Sequence, residues 1–437
     1  SPQPYTKSKV ATLRSIQTLP LPRKIFPLKI VSYPCDSHGR RNLGVNMDSL
    51  FDSMQINGMT LSNRFVRSAT WSGLADDDGY VTPRLVEVMQ NLAQGGVGLI
   101  ITGHAYVHPS GRHAPWQLGI DNESRIEGLT QMTDAVHRHG GKIAVQLGYG
   151  GAYLSKSRVR QMTKDDIRRL VKAYVDAAVR ARSSGFDAVQ IFAAHGFFLS
   201  QLLCPRYNDR KDEYGGAIRN RARCLLEVLD AIRQSLGQDY PILVKLNAHD
   251  GVKDGLQLEE SIQVCEMLEA GGIDAIEVSG GLLNSPNVLK APSRQQAYFE
   301  AEARAFKEKI SVPLILVGGI RTFEMSKRLL SEGVADYISL CRPLVCEPDL
   351  INRWQSGDTR DAACISCSNC VEQIKAGRGV TCVPLKPDAA PSFFVHNTKA
   401  IPASFPHPEG TCYVISFGLY ETATGFLPMT KVHMAFP

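Results

Sequence analysis

Eight short apolar runs, each followed by an amphipathic stretch, recur between Met47 and about residue 360 of this 437-residue chain. They fall at 65–68, 98–103, 143–147, 188–192, 242–246, 275–279, 314–317 and 337–340. Each is too short for a helix and too apolar for a surface loop, which marks a strand buried on both faces. The intervening stretches carry helical periodicity, at 164–184, 219–235, 258–270, 295–309 and 322–331. Thr163 stands where a helix N-cap belongs, with Asp165 and Asp166 in the first turn. Gly185, Gly237, Gly271 and Gly333 stand where helices should stop. An eightfold strand–helix alternation predicts an α/β protein built as a closed (β/α)8 TIM barrel with irregular N- and C-terminal extensions. An open doubly wound sheet is the competing architecture; no Gly-x-Gly-x-x-Gly follows the first strand, which counts against it.

The expected organisation is a basic extension over 1–46, a barrel over 47–360, a cysteine-rich segment over 361–384 and an irregular appendage over 385–437. The formal charge of +6 is local. Residues 1–46 hold Lys7, Lys9, Arg14, Arg23, Lys24, Lys29, Arg40 and Arg41 against the single acid Asp36, and the remainder is near neutral. That excludes a nucleic-acid surface on the barrel, and no apolar run approaches the roughly 20 residues of a membrane span. The extension reads as a targeting segment, a disordered arm or sequence ahead of a start at Met47. The 11 cysteines are too sparse for a secreted disulfide framework, so a reducing, cytoplasmic setting is expected.

Chemistry in such a barrel sits at the carboxyl ends of the strands. There the sequence offers Ser68, Gln146, His195, Lys245 and Asn247. Lys245 on a buried strand needs an anionic or electron-rich partner, a bound heterocycle or a salt bridge to Glu277. The seventh and eighth strands end in Val317-Gly318-Gly319-Ile320-Arg321 and Leu340-Cys341-Arg342-Pro343, a pairing that suits a phosphate held by backbone N–H groups and a guanidinium.

From Met47 to Pro384 the sequence resembles the old yellow enzyme family of FMN-dependent NAD(P)H:flavin oxidoreductases, nearest the branch that includes the barrel of 2,4-dienoyl-CoA reductase. The resemblance lies in Asn63-Arg64-Phe65-Val66-Arg67-Ser68-Ala69-Thr70, Gln146-Leu147, His195-Gly196, Asn208-x-Arg210-x-Asp212-x-Tyr214-Gly215-Gly216, Glu277-Val278-Ser279-Gly280-Gly281, Val317-Gly318-Gly319 and Arg342-Pro343. It implies an enzyme passing hydride from NADH or NADPH through FMN to an activated alkene, a small molecule such as an α,β-unsaturated carbonyl. It places Ser68, Ala69 and Thr70 against the flavin ring, Gln146 at its pyrimidine edge and Lys245 near N1 and the C2 oxygen. Gly318, Gly319, Cys341 and Arg342 would hold the phosphate, and His195 would bind the substrate carbonyl. Three departures stand out. Phe192 replaces the first histidine of the donor pair, and Phe197 replaces the tyrosine proton donor. The segment after Gly148 is short, with Tyr149 and Ala152 where histidine and arginine are common. An alkene isomerase, a weak NAD(P)H oxidase or a non-catalytic flavin-binding barrel are therefore alternative expectations.

Cys364-x2-Cys367-x2-Cys370-x11-Cys382 has ligand-like spacing. It reads as a [4Fe–4S] site, as four-thiolate zinc, or as free thiols; the dienoyl-CoA reductase branch carries a [4Fe–4S] cluster in a similar run.

Overall fold

A computed structural model describes residues 50–150, 158–282 and 296–383, together with strands Gly418–Thr422 and Gly425–Met429. A two-residue Asn57-Gly58 loop joins strands β1 (Met54–Ile56) and β2 (Met59–Leu61) into an antiparallel hairpin, with Asn57 at φ 51° as such a turn requires. Eight parallel strands follow: β3 (Phe65–Arg67), β4 (Leu99–Ile101), β6 (Lys142–Gly148), β7 (Ala188–Ala193), β8 (Ile242–Asn247), β9 (Ala275–Ser279), β10 (Leu314–Val317) and β11 (Tyr337–Leu340). The two-residue β5 (Ala105–Tyr106) lies beside β6. Pairing of β3 with β11 and of β4 with β6 closes the ring, as the alternation predicted.

The barrel is filled from below. Ile56, Met59 and Leu61 of the hairpin pack with the inward-facing Val66, Leu99, Ala188, Leu243 and Ile315, all buried. This plugs the amino-terminal face and leaves chemistry to the opposite end. The hairpin was not expected, because three-residue strands carry almost no periodic signal.

Outside the ring the helices bury one apolar stripe each against the strands. Helix Lys164–Ser183 begins with the expected cap: Thr163 Oγ1 accepts from Asp166 N (3.1 Å), and the Asp166 carboxylate accepts from Thr163 N (2.8 Å). Leu258–Ala270 and Phe323–Ser331 match their expected spans closely, and 219–235 resolves into Ile218–Arg221 and Arg223–Leu236. Part of the expected helix at 295–309 appears as Glu300–Lys307. The cysteine-rich segment docks on the barrel through Ala362 N to Arg321 O (2.9 Å) and Val380 N to Ser72 O (2.7 Å). The described residues fall into two units, one through Val383 and one beyond it. In the second, Gly418–Thr422 pairs antiparallel with Gly425–Met429. The basic extension 1–46 lies outside the described residues.

Candidate active site

A cavity of about 350 Å³ opens at the carboxyl ends of the strands, within the range of small-molecule sites. Its lining brings together Ser68, Ala69, Thr70, His195, Lys245, Gly318, Gly319, Cys341 and Arg342 from loops far apart in sequence. Nine of the ten barrel residues to which the resemblance gives a role thus meet at one place, while Asn247, the other strand-end group, does not line the cavity.

The floor is a buried polar network. Lys245 Nζ donates to Ser68 Oγ (2.8 Å) and lies 3.3 Å from Glu277 Oε2. Ser68 and Ser339 hydroxyls each donate to Glu277 Oε1 at 2.8 Å, and Gln190 Nε2 donates to Oε2 at 2.8 Å. Burial alone would raise the Glu277 carboxyl, but Lys245 and these three donors outweigh it and hold it below its ordinary value. The salt bridge to Glu277 is present, and Lys245 also lines the cavity, where the heterocycle reading would place it. Gln146 is the exception to the expected set. It is 1% exposed, its amide donates to Gln190 Oε1 (2.7 Å), and it does not line the cavity. Its register partner Gln190 draws the amide into the barrel network instead.

After β10, Gly318 (φ 140°) and Gly319 (φ 72°) adopt backbone conformations that favour glycine. A Cβ on Gly318 would lie 3.0 Å from the Tyr298 ring. Arg342 Nη1 donates to Ser366 O (3.2 Å) and Ser368 Oγ (3.1 Å), and Arg321 Nη1 to Ser366 Oγ (3.1 Å). The cysteine-rich segment therefore forms a wall of the cavity, with Cys370 and Ile374 among its lining. No periodic signal could place it there; its docking depends on contacts such as Ile374 against the bare Cα of Gly73.

The structure does not show the cluster site that the spacing and the resemblance suggested. Among the described residues no group of three or more His, Cys, Asp or Glu is arranged to hold a metal, and Cys364, Cys367, Cys370 and Cys382 are free thiols. The four cysteines lie near one another, with Cys341 and Cys346 beside them.

His195 sits in the cavity wall at φ 60°, a costly conformation for a residue with a Cβ. Its Nδ1 lies 2.9 Å from the Gly281 carbonyl and its Nε2 3.0 Å from Ser279 Oγ. Burial, then Lys245, pushes its pKa down to about 4, so the ring is neutral at pH 7. Beside it, Phe192 and Phe197 pack with ring centroids 4.3 Å apart. Two imidazoles that sequence reasoning passed over, His104 and His113, close on Phe197 at 5.0 Å each. Tyr149, which stands where histidine is common, hydrogen-bonds Ser110 Oγ (3.0 Å) and lines a separate cavity with His108. Among the lining groups to which the sequence gave no role are Trp71, Ser279, Tyr298 and Phe299. Of these only Ser279, ending a predicted strand, carried a usable signal.

The profile of the NADH:flavin oxidoreductase / NADH oxidase family matches residues 49–161 and 154–361, most of the described barrel. The chain belongs to this family. It is 32% identical to the NADH oxidase of Thermoanaerobacter brockii over 343 residues, which is 73% of this chain and 53% of that protein. It is 32% identical to the NADPH dehydrogenase of Bacillus subtilis over 316 residues, covering 68% of this chain and 92% of the relative. Among solved structures, the old yellow enzyme homologue from Zymomonas mobilis superposes with a TM-score of 0.61 at 25% identity, over 73% of this chain and 96% of that one. A 2-naphthoyl-CoA reductase complex gives 0.69 at 25%, over 72% and 54%. The chain spans about half the length of the first of these relatives and nearly all of the shorter ones. The expected fold, family and enzyme class are thus borne out: the protein is an oxidoreductase barrel, and FMN with a reduced nicotinamide are the cofactors that this membership implies.

The residues present fit a flavin mononucleotide. Two glycines open the backbone at the corner beside Arg342, and Lys245 supplies an ammonium on the floor. Trp71, in the wall, has a buried Nε1 without a hydrogen-bond partner among the described residues.

Proposed function

We propose that the protein binds FMN in this cavity and passes hydride from NADH or NADPH to an electron-poor alkene, an α,β-unsaturated carbonyl. The observation that carries the reading is Lys245, nine-tenths buried yet lining the cavity, held there by Ser68 and Glu277. A fixed positive group at that point favours a ring that becomes anionic when reduced. In this reading Ser68, Ala69 and Thr70 face the ring, and Gly318, Gly319, Cys341 and Arg342 take the phosphate. Gln146 acts from behind, through Gln190, and His195 stands on the substrate side. Bound FMN supplies the two-electron carrier; the chain orients it, tunes its charge and excludes water. No step runs through the cysteines.

A second reading has a specific observation in its favour. Phe192 and Phe197 fill the places where the resemblance puts a hydrogen-bond donor and an acid, and neither has a proton to give. Reoxidation by dioxygen needs no acid positioned on an alkene, so an NAD(P)H oxidase is the alternative. Anaerobic titration with NADH, followed by stopped-flow mixing with cyclohex-2-enone or with oxygenated buffer, separates the two. Reoxidation by the enone supports the first reading; reoxidation by oxygen alone supports the second; a flavin never bleached by NADH or NADPH removes both.

A further inference from the structure

The polar end of the cavity accepts hydrogen bonds. The Gly281 carbonyl has only lone pairs, so at 2.9 Å it fixes the proton of the neutral His195 ring on Nδ1. Nε2 is left bare, and it takes the hydroxyl proton of Ser279 at 3.0 Å. Ser279 is 5% exposed and lines the same cavity as His195. With its hydrogen on His195, Ser279 Oγ turns lone pairs to a bound molecule. An alcohol arriving there can donate to Ser279 Oγ without breaking any existing bond.

The support behind the pair is also built. Gly281 O accepts from Asn247 Nδ2 (3.2 Å) as well as from His195, and Asn247 Nδ2 donates to Asp250 Oδ1 (2.9 Å). Asn247 Oδ1 in turn accepts from the backbone N of His195 (3.2 Å), holding it in its positive-φ conformation. A hydroxyl on a neutral imidazole whose far nitrogen is pinned by a third group is the arrangement that lets histidine receive a proton relayed through the hydroxyl.

We propose that the Ser279–His195 pair takes up the proton when a small apolar alcohol is oxidised in this cavity, so that the site dehydrogenates alcohols as well as serving the reductive reaction. In that step the carbinol C–H bond breaks and its hydrogen leaves with both electrons to the oxidised flavin. The C–O bond becomes C=O as the alcohol proton passes to Ser279 Oγ, and the proton already on Oγ passes to His195 Nε2. The alcohol loses two electrons and the flavin gains them. Ser279 touches the substrate; His195 acts through it.

The test uses the flavin-loaded full chain without oxygen, mixed with cyclohex-2-enol. The expected result is bleaching of the flavin band with formation of cyclohex-2-enone. Ser279→Ala should slow that bleaching about 100-fold, and Ser279→Thr, which keeps the hydroxyl, should restore most of it. Flavin content reports whether each variant has folded. Independently of turnover, ¹⁵N spectra of histidine-labelled protein should show His195 protonated at Nδ1 and accepting at Nε2. Wild-type protein that cyclohex-2-enol does not bleach, an alanine variant as fast as wild type, or a proton on Nε2 would each overturn the proposal. Reoxidation of NADH-reduced protein by cyclohex-2-enone reads the reductive function separately, so either can fail alone.

Discussion

Lys245 and Glu277 are register partners on adjacent parallel strands, and their side chains meet 3.3 Å apart inside the barrel. The carboxylate is fully buried and takes three further hydrogen bonds, so the pair fixes a charge on the cavity floor that neither residue could hold alone.

Removing one partner should therefore be costly. Glu277→Gln leaves the buried Lys245 without its counter-charge and is expected to lower the free energy of unfolding by about 3–5 kcal/mol. Denaturant unfolding measures it. A loss within about 0.5 kcal/mol, as for an ordinary surface substitution, would mean that the pair contributes nothing to the floor.

Acid should destabilise the fold from two sources. Glu277 is held below its ordinary 4.5, so its contribution is present above that value and is lost as pH falls through its native pKa. His104, His113 and His195 are each held below 6.5, in every case first by burial, with the latter two at about 4. Between about 4 and 6.5 the unfolded chain binds protons that the folded chain refuses, at up to about 1.4 kcal/mol per pH unit for each histidine. His249 runs the other way: the hydrogen bond to Glu302 raises it, so its contribution is present below 6.5 and fades as pH rises. Three against one predicts a Tm that falls from pH 7 to pH 5, with a shallower fall in His113→Phe. A Tm that rises over that range would contradict the assignment.

The strands were legible because each is buried on both faces, and their centres fall within a residue or two of expectation. The hairpin was marked only by Asn57-Gly58, and its three-residue strands gave no period to count. Most of the cavity was legible through strand ends, since a barrel turns all of them to one face. Gln146 was misplaced because alternation gives a side chain's face but not its partner, and Gln190 lies beside it. The wall made by Ser366, Ser368 and Cys370 was invisible, because it rests on tertiary contacts: Arg342 and Arg321 hold the two serines, and Ser72 and Gly73, about 300 positions away, meet Val380 and Ile374.

Gly318→Ala should weaken flavin binding. At φ 140° an alanine is strained by about 1–3 kcal/mol, and its methyl would press on Tyr298 at 3.0 Å. The FMN Kd, read by fluorescence quenching, is expected to rise at least about tenfold. An unchanged Kd would move the phosphate away from this corner.

Phe197→Tyr adds a hydroxyl beside His104 and His113, at the position where the resemblance places the acid. If the missing acid limits alkene reduction, reoxidation of the reduced protein by cyclohex-2-enone should speed up about 10- to 100-fold. No change would mean that protons already arrive by another route.

The most direct test of the central claim is the visible absorption spectrum of the purified protein, before and after denaturation. A flavin spectrum with FMN released intact at about one per chain is the predicted result, in line with a cradle that holds the cofactor without a covalent bond. A colourless protein that takes up no added FMN would contradict it, whatever the barrel looks like.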